Sequence, residues 1–296
     1  MAEIEKAVIP VAGLGTRLLP ATKSQPKEML PVGRKPIVQY VVEEMIAQGV
    51  KKLLFITGRK KRSIEDHFDE DPELAKSLTE ADMMERIKEI EFLEPGVTLF
   101  FTRQSAPLGL GDAVRLAEDF VGGERFVAAL GDSIIRPGDY SDPIKRLINT
   151  HIKNGAAATI IVEEVPEDEV SRHGIVSPLG KVGAEFEISD IVEKPPLREA
   201  PSRLAAAGRY VFDPVIFEAI RRTVPERGGE LELTDAIRIL LKMGHRVWCV
   251  KLRPDEKRYD IGDYESYFKA FIDFAIEDEK YGYIIRDYVQ RKLREI

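Results

Sequence analysis

The stretch that decides the fold is Lys6-Ala7-Val8-Ile9-Pro10-Val11-Ala12-Gly13-Leu14-Gly15-Thr16-Arg17. Its apolar start is typical of a buried strand, and the strand ends in a Gly-X-Gly-Thr-Arg loop. Gly13 and Gly15 have no Cβ atom, so backbone N–H groups there can approach an anionic ligand closely. Arg17, and Lys27 ten residues later, add positive charge that a polyphosphate can use. We interpret the stretch as a nucleotide-binding strand and loop.

Two common phosphate-binding loops do not fit this stretch. A Walker A loop needs Gly-x4-Gly-Lys-Ser/Thr, and that pattern is absent. A dinucleotide-binding fingerprint needs a third glycine, but Leu18 stands in its place and Pro20 follows soon after. A Rossmann dehydrogenase is therefore disfavoured. Taken alone, the two glycines are equally compatible with a simple tight turn, so the loop by itself leaves its role open.

Length, charge and cysteine content limit the class of protein. The 296 residues suit one large α/β domain or two small ones. A net charge of −7 argues against a general affinity for nucleic acids or anionic membranes. The single cysteine, Cys249, cannot form an internal disulfide, and no apolar run approaches the length of a spanning helix. With no signal-peptide pattern at the N-terminus, we expect a cytoplasmic protein.

The amide content predicts high thermal stability. Asn occurs only at Asn149 and Asn154, and Gln occurs five times, while 32% of the residues are charged. Few amides and many charges are typical of thermophile proteins. We therefore expect a calorimetric melting temperature above the mesophile range of about 45–65 °C, and a midpoint inside that range would contradict the idea.

Strand-like and helix-like segments alternate along the chain, which predicts an α/β fold with a mixed, mostly parallel sheet and helices on both faces. In the first half we expect strands at Lys6–Val11, Leu53–Thr57, Thr98–Gln104, Phe126–Leu130 and Ala157–Val165, and helices at Pro36–Gln48, Ser63–Phe68, Leu74–Phe92, Gly111–Phe120 and Pro143–Lys153. From about residue 166 we expect short strands at Gly174–Ser177, Glu185–Val192, Ala206–Phe212 and Arg246–Leu252, and helices at Pro214–Arg222 and Leu233–Lys242. Tyr264–Arg294 is predicted to be a helical tail with a break at Gly282, whose apolar stripe covers the sheet or serves a subunit contact.

Several polar residues are predicted to lie where strands end. Gly13 to Arg17 follow the first strand, Gln104 ends the third, and Asp132 follows the fourth. Ligands of open α/β sheets bind outside the carboxyl ends of strands, so these residues should share one cleft. Mg²⁺ prefers one or two carboxylates together with substrate phosphates, which makes Asp132 and Asp260 candidate ligands. A capping or turn role for Asp132, and Asp263 as ligand in place of Asp260, remain open.

Three consecutive motifs carry a family resemblance. They are Gly13-Leu14-Gly15-Thr16-Arg17, Pro20-Ala21-Thr22-Lys23 and Pro26-Lys27-Glu28-Met29-Leu30-Pro31. In this order they resemble the signature of sugar nucleotidyltransferases, above all the prokaryotic UTP–glucose-1-phosphate uridylyltransferase, or UDP-glucose pyrophosphorylase, family. The related thymidylyltransferases usually have Lys-Gln-Leu-Leu-Pro in the third motif, so the Glu28-Met29 pair favours the uridylyl branch.

The resemblance implies a fold, a domain organisation and a reaction. It implies a Rossmann-like three-layer α/β fold with a small β-rich sugar-binding subregion in a single domain. We expect a nucleotide-binding half at 1–165, a sugar-binding half at 166–263 and a helical tail at 264–296. It also implies uridylyl transfer from UTP to glucose 1-phosphate with Mg²⁺ as cofactor, and we expect a homo-oligomer.

The same resemblance implies roles for individual residues. Arg17 would contact the β- and γ-phosphates, Lys27 would hold oxygens near the α-phosphorus, and Lys194 would pair with the sugar phosphate. Asp132 and Asp260 would hold the metal. The nucleotide would be bound by Ala12, Gly13, Gly15, Thr16, Glu28, Gln104 and Gly111, and the sugar by Gly174, Glu193 and Gly208. Glu230 is a further candidate for the sugar, whereas Thr234 and Asp235 are expected mainly to cap a helix.

Two departures from the family pattern leave the specificity open. Asp112 stands where the family usually has His, and His173 stands where it commonly has Tyr. The alternatives are therefore a dTTP-using or broad-specificity hexose-1-phosphate nucleotidyltransferase. A different class, a non-catalytic regulator that binds nucleotide sugars, predicts lost charges at the phosphate sites. That class is disfavoured because the charged residues expected at these sites are all retained, namely Arg17, Lys27, Asp132, Lys194 and Asp260.

Overall fold

The computed structural model of the chain describes residues 4–139, 141–225 and 229–295. The strands of this described part are β1 (Lys6–Pro10), β2 (Pro31–Val32), β3 (Lys35–Pro36), β4 (Lys52–Thr57), β5 (Thr98–Arg103), β6 (Phe126–Ala129), β7 (Ser133–Arg136), β8 (Ala158–Glu164), β9 (Gly174–Pro178), β10 (Glu185–Glu193), β11 (Leu204–Phe212), β12 (Val247–Lys251) and β13 (Lys257–Asp260). Its α-helices are α1 (Ile37–Ile46), α2 (Arg62–Phe68), α3 (Pro72–Glu80), α4 (Met84–Ile90), α5 (Leu110–Arg115), α6 (Glu118–Val121), α7 (Pro143–Asn154), α8 (Val215–Arg222), α9 (Leu233–Lys242), α10 (Tyr264–Ile276) and α11 (Gly282–Leu293).

Within those residues one sheet contains nine strands in the order β5-β4-β1-β6-β11-β8-β12-β10-β9. β1 runs parallel to β4 and β6, and β4 parallel to β5, while β8 pairs in parallel with β12. β11 is antiparallel to β6 and β8, and β10 is antiparallel to β12 and β9. All strands of the sheet except β10 and β11 therefore point the same way, which confirms the mixed, mostly parallel sheet.

Helices cover both faces of the sheet. Successive residues of β1 face opposite sides, so Val8 packs with α5, α8 and α9, whereas Ala7 and Ile9 pack with α1, α2 and α7. Because both faces are covered, β1 is buried on both sides and is apolar throughout its centre. This arrangement confirms the three-layer α/β prediction.

The helix predictions were wrong at two places. Leu74–Phe92 was predicted as one helix but forms α3 and α4, separated near Asp82, whose φ of 53° lies in the left-handed region. Gly111–Phe120 also divides, into α5 and α6. The predicted break of the tail is confirmed, because α11 begins at Gly282, where a Cβ atom would lie 2.7 Å from the carbonyl oxygen of Ile276.

The apolar stripe of the tail predicted that it would cover the main sheet, and this prediction was wrong. α10 instead packs through Ala270, Tyr267 and Phe274 on a small cluster that contains Val32 of β2 and Tyr259 of β13. Phe268 and Phe271 remain exposed. No helix of the described residues has the length and apolar character needed to cross a membrane.

A two-stranded ribbon that the sequence did not reveal positions part of the site. β7 and β13 pair antiparallel, with Asp260 opposite Ser133. The backbone N–H of Ile261 donates to the carbonyl oxygen of Asp132 at 3.0 Å. Two aspartates separated by 128 positions in sequence (132 and 260) are therefore held side by side.

Candidate active site

A cavity of about 420 Å³ opens at the carboxyl ends of β1, β5 and β6. Most of the residues predicted to bind the nucleotide line it. They are Ala12, Gly13, Gly15, Thr16, Glu28 and Gln104. The cavity is also lined by Arg17 and Lys27, which were predicted as catalytic residues, and by Asp132, which was predicted as a metal ligand. Glu230 and Gly262 also line it. The shared cleft expected from strand ends is therefore present in the fold.

The glycine loop after β1 is shaped by its own backbone. Gly15 has a φ of 67°, which L side chains rarely adopt, and its carbonyl oxygen accepts a hydrogen bond from Thr22 Oγ1 at 2.7 Å. Arg17 follows in a short 3-10 turn and is exposed. No described residue forms a hydrogen bond or close ion pair with its guanidinium group, which lies against the backbone of Gly262. Arg17 thus offers an available cation at the mouth of the cavity.

Lys27 and Asp132 form an ion pair inside the cavity. Burial alone would lower the pKa of Lys27, but Asp132 and then Glu28 raise it above its ordinary value. Burial would likewise raise the pKa of Asp132, but Lys27 holds it below its ordinary value. Both groups are therefore charged at neutral pH, so Lys27 can interact with a phosphate and Asp132 with a cation.

Arg258 is a site residue that sequence reasoning missed. It is largely buried and pairs with Glu163 and, at 3.3 Å between Nη1 and Oδ2, with Asp260. Its charge also lowers the pKa of Asp132. No sequence signal marked it, because it shares a face with Asp260 only through the strand β13, which the sequence did not reveal.

Glu28 is engaged with a partner that the sequence did not indicate. Lys61 Nζ donates to Glu28 Oε2 at 2.6 Å, and both side chains are almost fully buried. Burial raises the pKa of Glu28 above its ordinary value, against the opposing effect of Lys61 and Lys27. The pair fixes the wall of the cavity next to Lys27.

Gly111 is placed differently from the other predicted nucleotide-binding residues. Its backbone N–H donates to the carbonyl oxygen of Leu231 at 2.8 Å, so this donor is already used. A Cβ atom at position 111 would lie 2.1 Å from Leu231 Cδ2. The absence of a side chain at Gly111 therefore serves close packing between α5 and the segment before α9.

Glu193, Lys194 and Gly174 form a second cluster near the end of β10. Lys194 Nζ lies 3.0 Å from Glu193 Oε1 and 3.5 Å from Glu232 Oε1. Gly174 stands opposite Glu193 in the sheet, and a Cβ atom there would lie 3.0 Å from Thr234 Oγ1. Burial would lower the pKa of Lys194, but Glu193 raises it, so the ammonium group stays charged at neutral pH.

Thr234 does not cap α9, which corrects the prediction for this residue. The helix begins at Leu233 with Glu232 in the capping position, so Thr234 stands within the first turn. Its hydroxyl donates to Glu193 Oε2 at 2.7 Å. Thr234 therefore orients the Glu193 carboxylate.

The two clusters are neighbours. Burial lowers the pKa of His173 below its ordinary value, and among nearby groups Arg258 lowers it while Asp260 and Glu193 raise it. His173 is therefore close enough to both Asp260 and Glu193 to feel their charges. Gly208, with a φ of 76°, sits at a bulge in β11, where a Cβ atom would lie 3.2 Å from Leu130 Cδ1 in the cavity wall.

The comparisons with known proteins agree with this architecture. A family model described as nucleotidyl transferase matches residues 6–277. The UTP–glucose-1-phosphate uridylyltransferase of Bacillus subtilis is 41% identical over 283 residues, which cover 95% of this chain and 94% of that protein. The chain belongs to the prokaryotic UTP–glucose-1-phosphate uridylyltransferase family of nucleotidyl transferases.

Solved structures of similar proteins include liganded members of this family. The structure of UTP-bound UGPase from Acinetobacter baumannii matches with a TM-score of 0.89 and 35% identity, covering 97% of this chain and 99% of that one. A UDP-glucose pyrophosphorylase complexed with UDP-glucose matches with a TM-score of 0.80 and 36% identity, covering 92% and 98%. These similarities confirm the predicted family and fold.

Proposed function

We propose that this chain transfers a uridylyl group from UTP to glucose 1-phosphate, giving UDP-glucose and pyrophosphate. One observation carries the proposal. The available Arg17 guanidinium and the Lys27–Asp132 ion pair line one cavity at the sheet edge of a uridylyltransferase-family chain. A cavity with fixed cations beside a carboxylate suits a reaction in which negative charge moves between phosphates.

Phosphate binding is assigned to the glycine loop and its two cations. The backbone of Ala12, Gly13, Gly15 and Thr16 would face the nucleotide, as their place in the cavity lining supports. Arg17 would contact the β- and γ-phosphates, where a fork of donors suits two oxygens at once. Lys27 would act at the α-phosphate as a compact point charge.

Asp132 and Asp260 are proposed to hold a magnesium ion. Their ribbon neighbours place them side by side, and the depressed pKa of Asp132 keeps it ionised. Among the described residues no group of three or more His, Cys, Asp or Glu side chains could hold a metal ion. A two-carboxylate site fits Mg²⁺, which completes its shell with water and substrate phosphates. When bound, the ion would stabilise charge on the phosphate oxygens.

The sugar phosphate is assigned to the Glu193–Lys194 cluster. Lys194 would pair with the phosphate, and Glu193, oriented by Thr234, would accept hydrogen bonds from sugar hydroxyls. Gly174 and Gly208 would let the hexose lie against the backbone, because neither position projects a side chain.

The chemistry requires no general base from the protein. A phosphate monoester has a second pKa near 6, so the nucleophile is largely dianionic at pH 7. Its oxygen forms the new bond to the α-phosphorus of UTP as the bond to the β-phosphate oxygen breaks and pyrophosphate leaves. His173 fits this scheme, because burial lowers its pKa and it stays neutral at pH 7. Catalysis then depends on alignment and electrostatic stabilisation.

The proposal is tested by pyrophosphate release with Mg²⁺. UTP, dTTP, ATP, CTP and GTP are each crossed with the 1-phosphates of glucose, galactose, mannose and N-acetylglucosamine. Fast release with UTP and glucose 1-phosphate alone is the expected result. A profile led by dTTP or by another hexose would retain the mechanism and change the substrate, and no release with any pair would favour a non-catalytic regulator.

We also propose that the chain forms a homo-oligomer that acts in the cytoplasm. Exposed apolar side chains on α10 and α11, among them Phe268, Tyr283 and Tyr288, support self-association. The buried free thiol of Cys249, whose pKa burial raises, needs no oxidising compartment. Light scattering coupled to size-exclusion chromatography measures the mass in solution, and a mass of about 33 kDa, that of one chain, would contradict the oligomer.

A further inference from the structure

The side-chain NH₂ group of Gln104 uses both of its hydrogens in hydrogen bonds within the protein. Gln104 Nε2 donates to Asp112 Oδ2 at 2.9 Å and to the carbonyl oxygen of Gly109 at 3.1 Å. An amide NH₂ group carries two hydrogens, and these two acceptors take both. Within the described residues, the amide oxygen is therefore the part of the Gln104 side-chain amide that remains free to meet a ligand.

The orientation of this amide follows from the chemistry of its neighbours. A carboxylate and a backbone carbonyl can only accept hydrogen bonds, so neither can face the amide oxygen. Arg115 donates to Asp112 Oδ1 from Nη2 at 2.7 Å and from Nε at 3.1 Å, so each carboxylate oxygen of Asp112 accepts from a side-chain donor. Asp112 is buried and stands in α5, close to the cavity wall.

The oxygen of Gln104 is therefore the atom presented to a ligand. Gln104 lines the cavity, and no residue of the described ranges donates to its Oε1. Uracil has one donor on its pairing edge, the N3–H group, between two carbonyl oxygens. Cytosine has a lone pair on N3 in the same place, so an acceptor-only group would face another acceptor.

We propose that Asp112 is a specificity-determining residue, which fixes Gln104 as a hydrogen-bond acceptor so that the site admits bases with an N3–H group and rejects cytosine. This inference rests on the proposed use of UTP. Asp112 is a positioning residue, since it acts through Gln104. Thymine carries the same N3–H group as uracil, so the device separates UTP from CTP and leaves the choice between UTP and dTTP unaffected.

The first test is Asp112→Asn. Arg115 retains the oxygen of the new amide, so the NH₂ group of Asn faces the NH₂ group of Gln104, and two donors oppose each other. Turning the Gln104 amide by half a rotation removes this donor–donor contact but gives up the hydrogen bond to the carbonyl oxygen of Gly109, so we expect a part of the molecules to carry the turned amide. Nε2 then points into the cavity and can donate to cytosine N3. We expect the UTP-to-CTP ratio of kcat/KM to fall about tenfold or more, the size of one lost or misplaced buried hydrogen bond, while the UTP-to-dTTP ratio stays unchanged.

Matched variants separate this role from a general structural one. Asp119→Asn removes the same charge from an exposed position nearby and should leave both ratios unchanged. In a Gln104→Ala background, Asp112→Asn should have no further effect on the UTP-to-CTP ratio. A further change in that background would overturn the inference. If Asp112→Asn does not fold, as judged by its melting curve, Asp112→Ser, which also removes the fixed acceptor, takes its place.

Equilibrium binding of UTP and CTP, measured by calorimetry, makes this test independent of turnover. A wild-type protein that prefers UTP over CTP but releases no pyrophosphate would refute the proposed reaction. The UTP-to-CTP binding ratios of the variants would then decide the inference by themselves. A wild-type protein that binds the two nucleotides equally would overturn the inference. A folded Asp112→Asn protein with the wild-type UTP-to-CTP binding ratio would overturn it as well.

Discussion

Two cavities at opposite ends of the sheet differ in how their charges are used. The larger one, about 620 Å³, lies at the amino ends of β6, β8 and β12. Its charged groups are paired with protein, for example Arg125 with Asp213 at 2.6 Å and Glu124 with Lys6 at 2.7 Å. The smaller cavity, at the carboxyl ends, contains an Arg17 with no close partner among the described residues. Available charge therefore identifies the site better than cavity size does.

The backbone explains why the two ends differ. At the carboxyl end the chain leaves β1 through the left-handed Gly15 and leaves β6 through Gly131, where a Cβ atom would lie 2.4 Å from Val11 Cγ1. Loops of this kind bring backbone groups and Asp132 to the cavity. At the amino end, α7 instead ends at Asn154 with Gly155 as its C-cap, and the buried His151 of this helix forms hydrogen bonds with Thr159 and Asp213.

The largest effect is expected for Asp132→Asn. Removing this carboxylate takes away a proposed metal ligand and leaves Lys27 without its partner, so turnover should fall by roughly 10³-fold or more. Pyrophosphate release is measured across a magnesium titration, with a melting curve to verify the fold. Asp213→Asn, in the larger cavity, is the matched control and should keep wild-type turnover. Normal turnover of Asp132→Asn would exclude Asp132 as a ligand.

The next effect compares one arginine from each cavity. Arg17→Ala should reduce kcat/KM for UTP by roughly 10²-fold, because it removes a charge aimed at the leaving pyrophosphate. Arg17→Lys should restore part of the loss, since a point charge replaces a fork of donors. Arg125→Ala removes an equal charge from the larger cavity and should change kcat/KM less than twofold. Equal losses for Arg17→Ala and Arg125→Ala would remove the distinction between the two cavities.

Much of this site was predictable because its residues follow strands or share one motif. Gly13 to Arg17 follow the buried strand β1 and Gln104 follows the edge strand β5, and the parallel sheet brings those ends together. Lys27 lies in the motif that carries the family resemblance. These predictions needed only strand periodicity and the order of elements, which are local properties of the sequence.

Other features depend on contacts that no local pattern specifies. β7 and β13 are four-residue strands, too short for a clear alternation, yet they determine that Asp260 lies beside Asp132. The Glu28–Lys61 pair and the use of the Gly111 N–H group by Leu231 join distant segments. The helix breaks at Asp82 because its backbone adopts the left-handed conformation. Asp adopts this conformation only occasionally, so the charged helical pattern around it gave no sign of the break.

A smaller effect is expected at the sugar-phosphate end. Lys194→Ala should raise KM for glucose 1-phosphate about tenfold, equivalent to about 1.4 kcal/mol, with a small change in KM for UTP. Lys194 has a φ of 43°, so Lys194→Gly is the matched variant, because it removes the charge and relieves the backbone. Both variants should show the same KM shift in steady-state assays. A rise in KM for UTP alone would show that Lys194 contacts UTP and not the sugar phosphate.

The smallest effect concerns stability at the larger cavity. Burial would raise the pKa of Asp213, but hydrogen bonds from His151 and Arg125 hold it below its ordinary value. A carboxyl with a depressed pKa stabilises the fold above its unfolded pKa of about 3.9 and loses that contribution as the pH falls through its folded pKa. Asp213→Asn should therefore cost about 1 kcal/mol of unfolding free energy at pH 7, and the difference from wild type should shrink below about pH 4.

Denaturant unfolding of Asp213→Asn and wild type at a series of pH values measures this difference. The side chain is 29% exposed, so solvent screening keeps the effect modest. Turnover at pH 7 should equal that of wild type, because Asp213 lies at the opposite end of the strands from Asp132. A stability difference that persisted unchanged at pH 3 would show that the carboxylate charge is not its source. A loss of turnover in a folded variant would instead show that the larger cavity also contributes to activity, which would contradict the contrast between the two cavities.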